Sequence, residues 1–223
     1  MPERIPELSA IIRYLKEGGQ GEIVEKKSRF IATLAPVTTE EEAREFIERT
    51  KKRYWDARHN CSAFVLGDDA ELTRANDDGE PPHTAGRPML DALLADGVRN
   101  VCVVVTRYFG GILLGTGGLA RAYRDAVVEG LKNCTIAEKR TGIPIDIVTD
   151  YNGIGKLLFL AGTGSYPVLS TEYTDTVSVT VLLPPGDADR FLSDLSDATA
   201  GKAQCTVKDP VAYSISDGVC ELL

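Results

Sequence analysis

The chain has 223 residues, 43% of them hydrophobic and 26% charged, with a formal net charge of −8. That length serves one or two domains whose core needs no covalent staples, and no apolar run reaches the roughly 18 residues of a membrane helix. The acidic balance excludes polyanion binding by the whole surface, so any nucleic-acid contact must come from a local basic patch and must weaken with salt.

Taken in chain order, residues 1–19 read as a leader. Within it, residues 6–17 are predicted as a short helix with Leu8, Ile11, Ile12 and Leu15 on one face. The opening Met1-Pro2-Glu3-Arg4-Ile5-Pro6 lacks the order of a signal peptide, so a cytoplasmic location is the expectation. Residues 22–26 and 29–36 read as strands broken at Lys27-Ser28 and pairing as a hairpin. Thr39 and Glu42 form a capping box before a helix that carries Ala43, Phe46, Ile47 and Thr50 on one face. A strand over 62–66 follows, then a polar loop over 67–85. Arg87-Pro88 opens a helix that ends at Gly97, and Val101–Val105 is a buried strand. A long helix runs to about Leu131. The second unit, from about 140, reads β-α-β-β-α-β, the order of a ferredoxin-like sandwich. The five cysteines (Cys61, Cys102, Cys134, Cys205, Cys220) contain no C-x-x-C pair and are odd in number, which argues against a disulfide framework and a structural zinc site.

Three polar clusters punctuate the first unit, at 56–61, 77–87 and 106–124. The third sets Gly110, Gly111, Gly115, Thr116, Gly117 and Gly118 between the apolar strand and a helix start, among Arg107, Arg121 and Arg124. Free N–H groups at a helix N-terminus suit phosphate, and a tight βα turn accounts for the same glycines. Neither G-x-G-x-x-G nor the lysine-bearing phosphate loop is present, which disfavours a dinucleotide or P-loop nucleotide. His59 and Cys61, two apart on a strand, share a face, but a nucleophile also needs an oriented base. Asp77, Asp78 and Glu80 beside His83 offer hard oxygen ligands for Mg²⁺. They serve equally as turn residues bonded to backbone N–H groups, or as partners of Arg58, Arg107 or Arg121.

Ser28-Arg29-Phe30, Asp56-Ala57-Arg58-His59-Asn60-Cys61, Asp77-Asp78-Gly79-Glu80-Pro81, Thr84-Ala85-Gly86 and the run Thr106 to Tyr123 together resemble the YigZ/IMPACT family. His83 stands where that pattern more often has glycine. The resemblance implies an α+β protein with a domain over 20–136 and another over 140–215. The first would share the fold of the second domain of a small-subunit ribosomal protein, domain IV of elongation factor G and the GHMP kinases. The second would be ferredoxin-like, as is the last domain of elongation factor G. Eukaryotic members are translation regulators with an extra N-terminal partner-binding domain, and that activity is not expected to transfer. The expectation is a non-enzymatic, cytoplasmic protein of translation control that binds RNA or the ribosome, with no cofactor and no membrane, and with room for a protein partner. Its contact residues would be Arg58, His59, Arg87, Arg107, Tyr108, Arg121, Arg124, Thr116 and the loop glycines. The competing expectation is a Mg-dependent enzyme of phosphate or phosphoryl chemistry at the same loop, with Asp77, Asp78 and Glu80 holding the metal.

Overall fold

A computed structural model describes residues 11–216 and 219–223. The chain divides into a unit of Ile12–Glu138 and a second built from Lys139–Leu223. The first contains β1 (Ile12–Glu17), β2 (Gln20–Glu25), β3 (Ser28–Pro36), α1 (Glu40–Arg53), β4 (His59–Leu66), β5 (Leu72–Asn76), α2 (Gly86–Asp96), β6 (Val98–Arg99), β7 (Val101–Tyr108) and α3 (Gly115–Leu131). β8 (Thr135–Thr149) starts in the first unit and ends in the second.

The first unit is a five-stranded sheet in the order β2-β3-β7-β4-β5, with antiparallel neighbours. Strand alternation sends Phe30, Ala32, Cys61, Ala63, Val103 and Val105 to the face packed by α2 and α3. Phe64, Leu66, Cys102 and Val104 go to the face packed by α1. β7 is central and apolar on both faces, which is why its sequence reads as a continuous β-branched run. The N-terminus of α1 is capped by Thr39, whose hydroxyl accepts the Glu42 N–H at 3.1 Å. The reciprocal bond is displaced by one residue: the Glu42 carboxylate takes the Thr38 N–H at 2.6 Å.

In the first unit, two stretches differ most from the sequence reading. Residues 12–17 form a strand rather than a helix, paired parallel to β6; residues 6–10 of that predicted helix lie outside the described residues. The apolar spacing of Ile12 and Leu15 suits a helix in isolation, but tertiary pairing overrides it, and the segment belongs to the first unit rather than to a leader. The loop 67–85 contains β5, an edge strand whose polar, exposed residues carry little apolar signal.

The second unit continues through α4 (Ile154–Thr163), β9 (Val168–Tyr173), β10 (Val177–Leu183), α5 (Ala188–Thr199), β11 (Gln204–Val207), β12 (Val211–Ser216) and β13 (Val219–Leu222). Its sheet order β9-β10-β8-β11 is antiparallel throughout, and with the β-α-β-β-α-β chain order this is the split βαβ arrangement. Ile143, Ile145, Ile147, Val177, Val179 and Val181 face Leu157, Phe191 and Leu195 of the helices.

Candidate functional site

The register sets Phe30 of β3, Arg107 of β7 and His59 of β4 directly opposite one another, so the three side chains share the α2/α3 face at one end of the sheet. Arg107 is 7% exposed, and its guanidinium donates to Glu80 Oε1 at 2.6 Å. The Tyr123 hydroxyl donates to the same oxygen at 2.8 Å. The Phe30 and Phe109 rings flank the guanidinium at 5.4 and 5.7 Å. A buried charge is tolerated only where it is matched and hydrogen-bonded, so Arg107 is held in the floor of the site. Arg107, expected among the phosphate ligands, is here paired with Glu80.

The segment 77–86 locks the same region. The Asp77 carboxylate accepts the N–H groups of His83, Ala85 and Gly86 at 2.8, 3.0 and 2.8 Å. It thereby caps α2, whose own N-cap residue Ala85 has no acceptor to offer. Burial by itself would raise the Asp77 pKa; the three donors outweigh it and hold the carboxyl below its usual range. Asp78 accepts from Lys51 Nζ at 2.8 Å and from the Asn60 N–H at 2.7 Å. His83 takes a left-handed φ of 63°, the conformation that glycine adopts freely. The three carboxylates proposed for Mg²⁺ are thus committed to backbone and cationic partners. Among the described residues, no group of three His, Cys, Asp or Glu is spaced to hold a metal.

His59 and Cys61 lie on one face as strand periodicity requires, yet each bonds to the loop instead of to the other. His59 Nδ1 is 2.9 Å from the Asp78 carbonyl, and the Cys61 thiol donates to the Asp77 carbonyl at 3.0 Å. Burial pushes the Cys61 thiol well above its ordinary pKa, the opposite of what a thiolate nucleophile needs.

The glycine loop after β7 is strapped to the β2–β3 turn. The Gly110 N–H donates to Ser28 Oγ at 3.1 Å, and a Cβ at Gly110 would lie 2.0 Å from the Lys27 carbonyl carbon. That turn is centred on Lys26 and Lys27, both left-handed at φ 45° and 66°, as the twist of a two-residue hairpin demands. A Cβ at Gly117 would meet nothing within 4 Å, so packing gives no reason for glycine there. Beyond the strap the loop turns apolar side chains outward: Phe109 is 55% exposed, Ile112 44% and Leu113 83%.

This loop borders two clefts. One, of about 370 Å³, is lined by Arg58, His59, Arg107, Tyr108, Phe109 and Leu113, with Asp56 at its edge. Asp56 accepts the Tyr108 hydroxyl at 2.8 Å. The other, of about 280 Å³, is lined by Lys26, Arg121, Leu114 and Gly118, with Glu25 and Asp125. The expected arginine patch is therefore divided. Arg87 pairs with Asp91 along α2 at 2.8 Å, and Arg124 with Asp125 at 2.7 Å. Among the described residues, Arg58, Arg121, Lys26 and Lys27 make no ion pair. The two lysines were absent from the sequence expectation. Only β3–β7 pairing brings their turn to a loop more than eighty residues away.

Residues 26–131 match the Impact N-terminal domain, and residues 147–202 match a domain of unknown function, DUF1949. The chain is 41% identical to IMPACT family member YvyE of Bacillus subtilis, over 85% of this chain and 87% of that one. It is 38% identical to IMPACT family member YigZ of Escherichia coli, over 80% and 89%. A shorter similarity, 38% over 42% of this chain and 28% of the other, joins it to the Protein IMPACT homolog of Dictyostelium discoideum. A crystal structure described as that of a hypothetical protein superposes with a TM-score of 0.56 at 34% identity, covering 90% of this chain and 98% of the other.

Proposed function

For this chain, which belongs to the YigZ/IMPACT family, we propose a cytoplasmic, non-enzymatic role in translation control, exerted by binding RNA or the ribosome through the glycine loop of the first unit. The observation that carries the reading is the loop itself. It is an outwardly apolar segment strapped to the β2–β3 turn at Gly110 and bordered by clefts whose free cations are Arg58 on one and Lys26 and Arg121 on the other. Cations position a phosphate backbone, while aromatic faces and backbone N–H groups engage bases and turns. The α3 N-terminus, with Gly115, Thr116 and Gly117 exposed, adds N–H donors of the kind that suit phosphate. The proposed fold kinship with elongation factor G domains and a small-subunit ribosomal protein is in keeping with this reading, and by itself carries little weight for function. The phosphoryl-transfer alternative loses its support, because Asp77, Asp78 and Glu80 already have partners that the fold needs.

The test is sedimentation with ribosomes, together with RNA mobility shift, across a salt series. Binding is expected at low salt and is expected to fall as salt rises. Arg58→Ala and a paired Lys26→Ala, Arg121→Ala variant should each bind more weakly, with the salt slope reduced by about one per lost phosphate contact. A protein that stays in the supernatant at low salt and shifts no RNA would sink the reading.

A further inference from the structure

We propose that the cleft beside Phe109 is a nucleobase site, which receives one unpaired base of a single-stranded RNA stacked on the Phe109 ring. This rests on the RNA reading above and names the part of the RNA that the cleft takes.

The lining carries the argument. Phe109, Tyr108 and the His59 imidazole supply flat faces, and Arg58 supplies one free guanidinium at the rim. Stacking faces with a single cation are what one nucleotide needs, whereas tracking a duplex backbone takes a row of cations. The other arginine present adds no net charge, because Arg107 is neutralised by Glu80 at 2.6 Å. The Arg107 guanidinium backs the Phe109 ring at 5.7 Å, and 55% of Phe109 is still open to solvent. The protein thus braces an aromatic ring from within and leaves it uncovered. Such a ring is a standing cost in water that a stacked base removes. Asp56, fixed by the Tyr108 hydroxyl at 2.8 Å, puts a negative charge at the edge and disfavours a second phosphate there. The volume, about 370 Å³, lies at the lower end of the range for small-molecule pockets of about 300–1,000 Å³.

The chain's single tryptophan, Trp55, is 82% exposed and immediately precedes Asp56 at the edge of this cleft, which makes its fluorescence a convenient signal to follow in a titration. The experiment titrates the full chain with an RNA of about ten nucleotides, single-stranded or annealed to its complement. The single strand is expected to bind about tenfold or more tightly than the duplex. Phe109→Ala and Phe109→Leu should abolish that preference, and Phe109→Tyr should keep it, with unchanged Tm in all three showing that the fold survives. Equal binding of the two RNAs by the parent protein would overturn the base site while leaving the RNA reading intact. So would a Phe109→Leu variant that keeps the preference, since leucine preserves bulk but has no aromatic face. Displacement of the RNA by a poly-glutamate peptide, independent of Phe109, would assign the cleft to an acidic protein segment and overturn the proposal. Failure to bind either RNA at low salt would remove the parent reading as well.

Discussion

The two units solve the same packing problem differently. The second fills its sheet–helix interface with aliphatic residues, Phe191 and the half-buried Tyr166, and its Lys208–Asp146 pair at 2.6 Å lies toward solvent. The first buries a charged pair, Glu80 and Arg107, under the same sheet face that carries its largest aromatic contacts. A buried pair gains little stability over an apolar replacement. Its presence beneath the glycine loop therefore points to geometry rather than stability as the quantity being fixed. The difference teaches where to look: the proposed site sits in the unit that carries this electrostatic cost, beside the buried pair.

Breaking that pair should give the largest effect. Arg107→Ala or Glu80→Ala is expected to lower unfolding free energy by about 3–5 kcal/mol, because each leaves the other charge buried and unmatched. The double variant Glu80→Leu, Arg107→Met should recover much of the loss. Asp146→Ala in the second unit, where both partners are substantially solvent-exposed, should cost no more than about 1 kcal/mol. Urea unfolding measures all of these, and a loss at Asp146 as large as that at Glu80 would erase the contrast.

The Asp77 cap comes next. Asp77→Ala leaves three N–H groups at the start of α2 without their acceptor and should cost about 2 kcal/mol. The contribution depends on pH with a definite sign. The folded-state pKa is depressed below the unfolded value of about 3.9. The stabilisation is therefore fully present above that value and is lost as pH falls through the folded pKa. Unfolding free energy followed from pH 6 downward should drop more steeply for the parent protein than for Asp77→Ala.

Two further variants separate packing from function within the glycine loop. Gly110→Ala drives a methyl into the Lys27 backbone and should cost about 1–3 kcal/mol. Gly117→Ala meets open space on the first turn of α3 and should raise stability by up to about 1 kcal/mol. Weaker RNA binding by Gly117→Ala despite higher thermal stability would sharpen the view that the ligand approaches there; unchanged binding would place the contact elsewhere on the loop.

Much of this was legible in the residues. The β-branched run of β7, the Thr39 cap, the stop at Gly97 and the alternation of Val177, Val179 and Val181 are local signals, read from propensity and period. The grouping of 56–61, 77–87 and 106–124 into one region was legible from the resemblance and is met by contacts: Tyr108 with Asp56, Arg107 with Glu80, Asn60 with Asp78. The segment 12–17 was misread because its apolar spacing fits a helix when its partner strand is ignored. β5 was missed because an edge strand can be polar on both faces.

The sequence by itself determined the elements flanking the site, the glycines that shape the loop, and an acidic chain in which any basic surface must be local. Tertiary structure decided which cations that surface contains. Arg87, Arg107 and Arg124 look identical to Arg58 and Arg121 in one dimension. Glu80 removes Arg107 from the surface's free charge, Arg87 and Arg124 lie in exposed pairs with Asp91 and Asp125, and Lys26 and Lys27 enter from a hairpin remote in the chain. The reason is physical. Propensity and capping act within a few residues, whereas the availability of a charge depends on what lies within about 4 Å of it, and that is set by strand register across the whole sheet.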